Sequence, residues 1–137
     1  MKIKSLKIIY KGEPIISDID DCLIKTSKLL KAKRISKRYM FYGMNFDVFK
    51  QVELTEWGKD LKELINMEYP VTLWTSGKNR FYILKDLFGS ENIIEGMSEQ
   101  DKINGLKYID EPIIYVDDKR LKGIHNNNIK HIQYRGG

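Results

Sequence analysis

The stretch 15-IISDIDDCLI-24 sets three carboxylates, Asp18, Asp20 and Asp21, into four residues of an apolar run. At neutral pH they repel one another and interrupt what otherwise reads as a buried strand. Two further apolar runs break off in a similar way. The run 70-PVTLW-74 is followed by Thr75-Ser76-Gly77, and 112-PIIYV-116 by Asp117-Asp118. Carboxylates arriving from two separate strand ends suggest a divalent cation. Hard oxygen ligands suit Mg2+, which binds through a few carboxylates together with a substrate phosphate. A cation among Asp18, Asp20 and Asp117 would offset their repulsion. One carboxylate pair after one strand reads equally well as a turn or a helix cap. Three such strand ends at one edge point to a site.

The elements that must position these groups follow from the chain's punctuation. Proline occurs only at 14, 70 and 112, each time directly before a short β-branched run. Proline is tolerated at a strand's first residue and not in its middle. Near-continuous apolar runs of this length fit strands buried on both faces. Helical patterns lie between them. Thr55 caps a segment with Trp57, Leu61, Leu64 and Ile65 on one face. Asn79 opens a second, with Phe81, Leu84, Leu87 and Phe88 inward and Gly89 as its stop. Ser98 opens a third, with Ile103, Leu106 and Ile109 inward. Short strands are expected at 91-ENIIEG-96 and 130-KHIQY-134, with a short helix before the latter. The stretch 2-KIKSLKIIY-10 reads as a strand or hairpin placed to pair at the sheet edge. This alternation predicts an α/β fold, a Rossmann-like, mostly parallel sheet with helices on both faces. Ligands of such sheets bind beyond the carboxyl ends of the strands, where the polar groups fall.

The 137 residues fit a single domain over 1–137. Residues 25–53 break the alternation. Positions 25–40 hold seven Lys or Arg (25, 28, 31, 33, 34, 37, 38) and no acid, and Tyr39, Phe41, Tyr42, Phe46 and Phe49 cluster after them. This reads as a helix and then a flap or hairpin. It is either a solvated basic face with aromatics packed beneath, or a positive rim that guides a phosphorylated substrate. The net charge of +5 tilts towards anionic partners such as nucleotides or nucleic acid. The one cysteine, Cys22, allows no intrachain disulfide and fits a reducing, cytoplasmic setting. No apolar run approaches the roughly 20 residues of a membrane span, and the N-terminus lacks a signal-peptide pattern.

Taken in order, these motifs resemble those of the haloacid dehalogenase (HAD) superfamily of phosphohydrolases, in its small capless form. An apolar strand ends in Asp18-Ile-Asp20. Thr75 follows the next strand in 71-VTLWTSG-77, Lys102 lies in 101-DKINGLKYI-109, and the pair Asp117-Asp118 ends 113-IIYVDDK-119. A looser resemblance, through LWTSG before a helix and a lysine ahead of VDD, is to the small C-terminal-domain phosphatases. The superfamily usually has Gly-Thr after the second Asp, where this chain has Asp21-Cys22. That change adds a charge beside the site and alters the residue that shapes the turn.

The resemblance implies a Mg2+-dependent phosphomonoester hydrolase. Asp18 would be the nucleophile that forms an aspartyl-phosphate. Asp20 would protonate the leaving oxygen and then take a proton from water. Thr75 would hydrogen-bond the transferring phosphoryl group, and Lys102 would neutralise it. The side chains of Asp18 and Asp117 and the carbonyl of Asp20 would hold Mg2+, with Asp118 as a further ligand or the support of one. Lys102 lies near a predicted helix N-terminus, where the dipole disfavours a cation, and Lys107 is its rival. The segment 25–53 is too short for a folded cap. An open site would admit a large substrate, such as a nucleotide, a nucleic-acid end or a phosphoprotein. Two other readings fit the same residues: a non-catalytic HAD-like protein binding nucleic acid through its basic face, and a phosphotransferase. His125 and His131 lack metal-ligand spacing and read as surface or structural residues. Trp57 and Trp74 read as core, and Cys22 as a small buried hydrophobe. Arg80 reads either as a contact to substrate phosphate or as a solvated helix end.

Overall fold

The computed structural model describes residues 2–6, 8–9, 11–36 and 46–136. In chain order these form strands β1 (Lys2–Ile3), β2 (Ile8–Ile9) and β3 (Ile15–Asp18), helix α1 (Thr26–Ala32), the single turn α2 (Phe46–Phe49) and helix α3 (Glu56–Asn66). Then follow β4 (Val71–Trp74), α4 (Phe81–Phe88), β5 (Ile93–Ile94), α5 (Glu99–Lys107), β6 (Ile113–Asp117) and β7 (Ile129–Gln133). Strands β3 to β7 form one five-stranded sheet in the order β5-β4-β3-β6-β7, and every pairing in it is parallel. The arrangement is consistent with an α/β, Rossmann-like fold. Among the described residues no helix is long and apolar enough to cross a membrane.

The prolines mark the strand starts as expected: β3, β4 and β6 each begin one residue after Pro14, Pro70 or Pro112. Side chains then alternate between two apolar clusters. Ile15, Val71, Leu73, Ile114 and Val116 pack with Leu30 of α1, Trp57, Leu61 and Leu64 of α3, and Leu84 and Phe88 of α4. Ile16, Trp74, Ile113 and Tyr115 face the other way and pack with Leu106 of α5 and with Leu121. Both faces of the central strands are therefore covered. Full burial of such a side chain contributes about 1.5–3 kcal/mol.

The helix ends follow local chemistry. The Thr55 hydroxyl accepts the Gly58 N–H at 2.9 Å and caps α3. Ser98 and Asp101 form a reciprocal capping box at α5. Gly89, at φ +70°, ends α4.

Three expectations are corrected. Asn79 does not cap α4: it sits at φ +60°, outside the extended backbone a cap needs, and Arg80 takes that position. No helix connects β6 to β7 among the described residues. There the Asn126 side-chain amide donates to the carbonyls of Leu106 and Ile109, at 3.0 and 2.8 Å, and ties an irregular loop to the end of α5. The N-terminal pair β1–β2 does not extend the parallel sheet. It forms its own antiparallel pair around the 3₁₀ turn Lys4–Leu6, which is held to α3 by the Ser5 N–H on Asp60 at 3.0 Å. In the insert, α1 matches the expected helix. Lys37, Arg38, Tyr39, Phe41 and Tyr42 lie outside the described residues.

Candidate active site

Asp18 and Asp117 are the last residues of two neighbouring parallel strands, β3 and β6. Ser17 pairs with Val116, so the two carboxylates stand side by side one step further along. Asp118 follows directly. One oxygen from each of Asp18, Asp117 and Asp118 lies within 4.8 Å of the others. From α5, Lys102 donates through Nζ to Asp18 Oδ1 at 2.7 Å, with both side chains at least nine-tenths buried. The rival Lys107 is exposed and lies over the Tyr108 ring.

These groups open into a cavity of about 330 Å³ lined by Asp18, Asp20, Asp21, Ser27, Ser76, Glu99, Lys102, Asp117, Asp118, Lys119 and Leu121. The lining holds six carboxylates and two lysines, although the chain as a whole is basic. The expected attraction for anions therefore does not arise from the cavity wall itself.

Burial pushes the Asp18 carboxyl well above the usual range, and the Asp117 charge adds to this while Lys102 opposes it. Burial also raises Asp118, to about 6. Burial works against the charged form of Asp117 too. There the Tyr115 hydroxyl and the Lys119 N–H both donate to the carboxylate and hold its pKa below the ordinary value. Burial likewise disfavours the Lys102 ammonium, but the charge of Asp18 outweighs it and keeps the lysine above its usual value. Three crowded carboxylates with only oxygen to offer make a donor set that fits a hard divalent cation.

The loop after Asp18 is fixed from three sides. Asp20 is not one of the clustered carboxylates. It accepts from Arg80 Nη1 at 2.7 Å on each of its oxygens, and from the Thr26 hydroxyl at 2.7 Å. Asp21 stands at φ +58°, a left-handed conformation that aspartate tolerates and glycine takes freely. Its carboxylate accepts the Ser27 N–H at 2.8 Å and the Ser27 hydroxyl, so it caps the first turn of α1. From α3, the Thr55 hydroxyl donates to the Cys22 carbonyl at 2.6 Å and the Thr55 N–H to the Leu23 carbonyl at 2.9 Å.

No family model matches the chain, and no curated protein or solved structure matches it at a significant level.

Of the residues singled out from sequence, Asp18, Lys102, Asp117 and Asp118 converge, and Asp20 joins them on the cavity wall. Thr75 is fully buried at the end of β4, where its hydroxyl accepts the Gly77 N–H at 3.1 Å, and its neighbour Ser76 lines the cavity. Cys22 is buried, its thiol pushed up by burial and 3.8 Å from the Ser17 hydroxyl. Trp57 is core and donates to that same hydroxyl at 3.1 Å, and Trp74 is buried. His125 is exposed, while His131 accepts the Leu121 N–H at 3.1 Å and meets the Tyr115 ring edge-on. Arg80 corrects its reading as a solvated helix end. It is neither a solvated helix end nor part of the cavity wall, but fully buried on Asp20. Tyr115 and Lys119 were not signalled by any motif. Tyr115 stands two residues before Asp117 on the same strand, which places both side chains on one face.

Proposed function

We propose that the chain is a Mg2+-dependent phosphomonoester hydrolase of the HAD type, acting through an aspartyl-phosphate on Asp18. The observation that carries this reading is the buried 2.7 Å pair of Asp18 and Lys102 at the end of a central strand, beside Asp117 and Asp118. A lone structural carboxylate would need one partner. Here a buried carboxylate shares its site with a lysine, two more acids and an open cavity.

Asp18, Asp117 and Asp118 would hold the cation, which when bound supplies positive charge to a phosphoryl group that the acidic wall would otherwise repel. In the first step an Asp18 oxygen bonds to phosphorus as the bond to the leaving oxygen breaks, and Asp20 gives its proton to that oxygen. In the second, water attacks the same phosphorus, its proton passes to Asp20, and the Asp18–phosphorus bond breaks. Lys102 offsets charge on the phosphoryl oxygens through both steps. Ser76 supplies a hydroxyl on the cavity wall at the end of the neighbouring strand, and the buried Thr75 hydroxyl holds that turn through the Gly77 N–H.

An insert too short for a folded cap supports a large phosphorylated substrate, such as a nucleotide, a nucleic-acid end or a phosphoprotein. Lys28, Lys31, Lys33 and Arg34 are exposed along and just after α1, while Lys25 and Lys28 also pair with Glu53. The deciding experiment is hydrolysis of 4-nitrophenyl phosphate by wild type and Asp18→Asn, with Mg2+ and with EDTA. Turnover that needs both Asp18 and Mg2+ supports the reading. Turnover that survives in Asp18→Asn removes it.

A further inference from the structure

We propose that Tyr115 is the positioning residue for Asp117: its hydroxyl holds that carboxylate beside Asp18 and Asp118 before any cation arrives, and so sets both the strength of cation binding and a preference for the smaller, stricter ion. This rests on the cation of the proposed reading and not on the hydrolysis.

Tyr115 and Asp117 stand two residues apart on β6, on one face of the strand, and both are buried. The Tyr115 ring packs with Trp74, Leu106, Ile113 and Leu121. Its centre lies 5.9 Å from that of the Trp74 ring and 5.3 Å from that of His131. Phenylalanine would fill this space equally well. What distinguishes tyrosine here is the hydroxyl, which donates to Asp117 Oδ2 at 2.5 Å. The other oxygen, Oδ1, accepts the Lys119 N–H at 3.0 Å. A carboxylate held at both oxygens cannot turn without breaking one of these bonds. Each oxygen still keeps a lone pair for a further partner.

The hold matters because of what stands opposite. One oxygen from each of Asp18, Asp117 and Asp118 lies within 4.8 Å of the others, and charges this close repel. Lys102 anchors Asp18 at 2.7 Å. Tyr115 and Lys119 anchor Asp117. The folded frame thus carries the repulsion that a cation would otherwise have to overcome. An untethered Asp117 would swing away from its neighbours, and an entering cation would have to order it again. A donor has an opposing effect too, since it draws charge from the carboxylate and weakens its grip on any cation. The two effects separate by ion. Mg2+ demands near-ideal octahedral geometry, whereas Ca2+ accepts flexible and irregular ligand sets. Loosening Asp117 therefore penalises Mg2+ more than Ca2+, while a change of charge alone moves both the same way.

The test is calorimetric titration of Mg2+ and of Ca2+ into EDTA-treated, dialysed wild type and Tyr115→Phe, with melting curves to show that both are folded. Tyr115→Phe should bind Mg2+ about 10–100-fold more weakly, the scale of losing a group that orients a metal ligand, and its loss for Ca2+ should be smaller. Where Tyr115→Phe does not fold, 4-aminophenylalanine at the same position, a weaker donor, makes the same comparison. Intermediate Mg2+ affinity is then expected, and unchanged affinity overturns the proposal. Equal Mg2+ affinity in Tyr115→Phe, or the same fold-loss for both ions, would leave the hydroxyl without a positioning role. Tighter Mg2+ binding would mean that the hydroxyl only competes with the cation. A wild type that binds neither ion would remove the cation from the proposed reading, and this inference with it. A wild type that binds Mg2+ but hydrolyses no phosphate ester would overturn the phosphatase reading and leave this inference standing.

Discussion

Lys102 and Asp18 stand 84 residues apart in the chain and 2.7 Å apart in space. The lysine lies in the first half of α5, where the helix dipole disfavours a cation, and its burial adds to that cost. Asp18, with Asp117 and Asp20, compensates. Lys102→Gln should therefore lower kcat/KM on an aryl phosphate by about 10²–10³, the scale of losing one charge-stabilising donor. Lys107→Gln, on the exposed side of the same helix, should leave it unchanged. Equal effects of the two substitutions would remove Lys102 from the site.

The acidic trio gives a prediction with opposite signs in two conditions. Without a divalent cation, Asp118→Asn relieves repulsion in the cluster, because burial and the neighbouring Asp117 charge disfavour the ionised form of Asp118. The variant should melt at or above the wild-type temperature in EDTA. With Mg2+ the order should reverse, because only wild type gains by binding. That gain is about 2.7 kcal/mol at a hundredfold excess over Kd. Melting curves in EDTA and in Mg2+ check it. A wild type indifferent to Mg2+, Mn2+ and Ca2+ would argue that the three acids hold no cation.

Much of this site was legible in the chain because its framework is local. Proline marks where β3, β4 and β6 start, and the polar residues after each apolar run mark where they end. Thr55, Ser98 and Gly89 announce helix ends through hydrogen bonds made within a few residues. Arg80 was not legible, because an arginine before a helix is ordinarily exposed. Its burial follows only from how β4 and α4 pack against the loop after β3. Tyr115 was equally silent, since an aromatic in a buried strand reads as core until its hydroxyl is seen to meet Asp117. The absent helix before β7 is of the same kind. Asn126 ties that loop to the end of α5, a contact spanning about 20 residues that no local pattern encodes.

His131 gives the fold a pH dependence of known sign. Burial holds its pKa below the ordinary value, and as a neutral ring it accepts the Leu121 N–H. The unfolded chain takes up a proton near the usual value of about 6.5, whereas the native chain resists until lower pH. This group's contribution to stability is therefore complete above that pH and lost as pH falls through the folded-state value. Urea unfolding at pH 7.5 and 5.5 should show a smaller drop in His131→Gln than in wild type. His125→Gln, at an exposed position, serves as the control. If His131→Gln loses as much stability on acidification as wild type, the ring is not held neutral.

Gly58 sits inside α3, where exchange for alanine normally stabilises by up to about 1 kcal/mol. Here the sign should invert. A β-carbon at this position would lie 2.1 Å from the Leu23 carbonyl oxygen and 3.0 Å from the carbon that bears it. Both atoms are backbone, and the oxygen already accepts the Thr55 N–H, so neither can step aside cheaply. The helix would have to move off the loop that follows Asp20, at a cost on the order of 1–3 kcal/mol. Gly58→Ala should lower the urea midpoint and, because that loop orients Asp20, lower turnover beyond what unfolding explains. A midpoint equal to or above wild type would mean that α3 does not press on this loop.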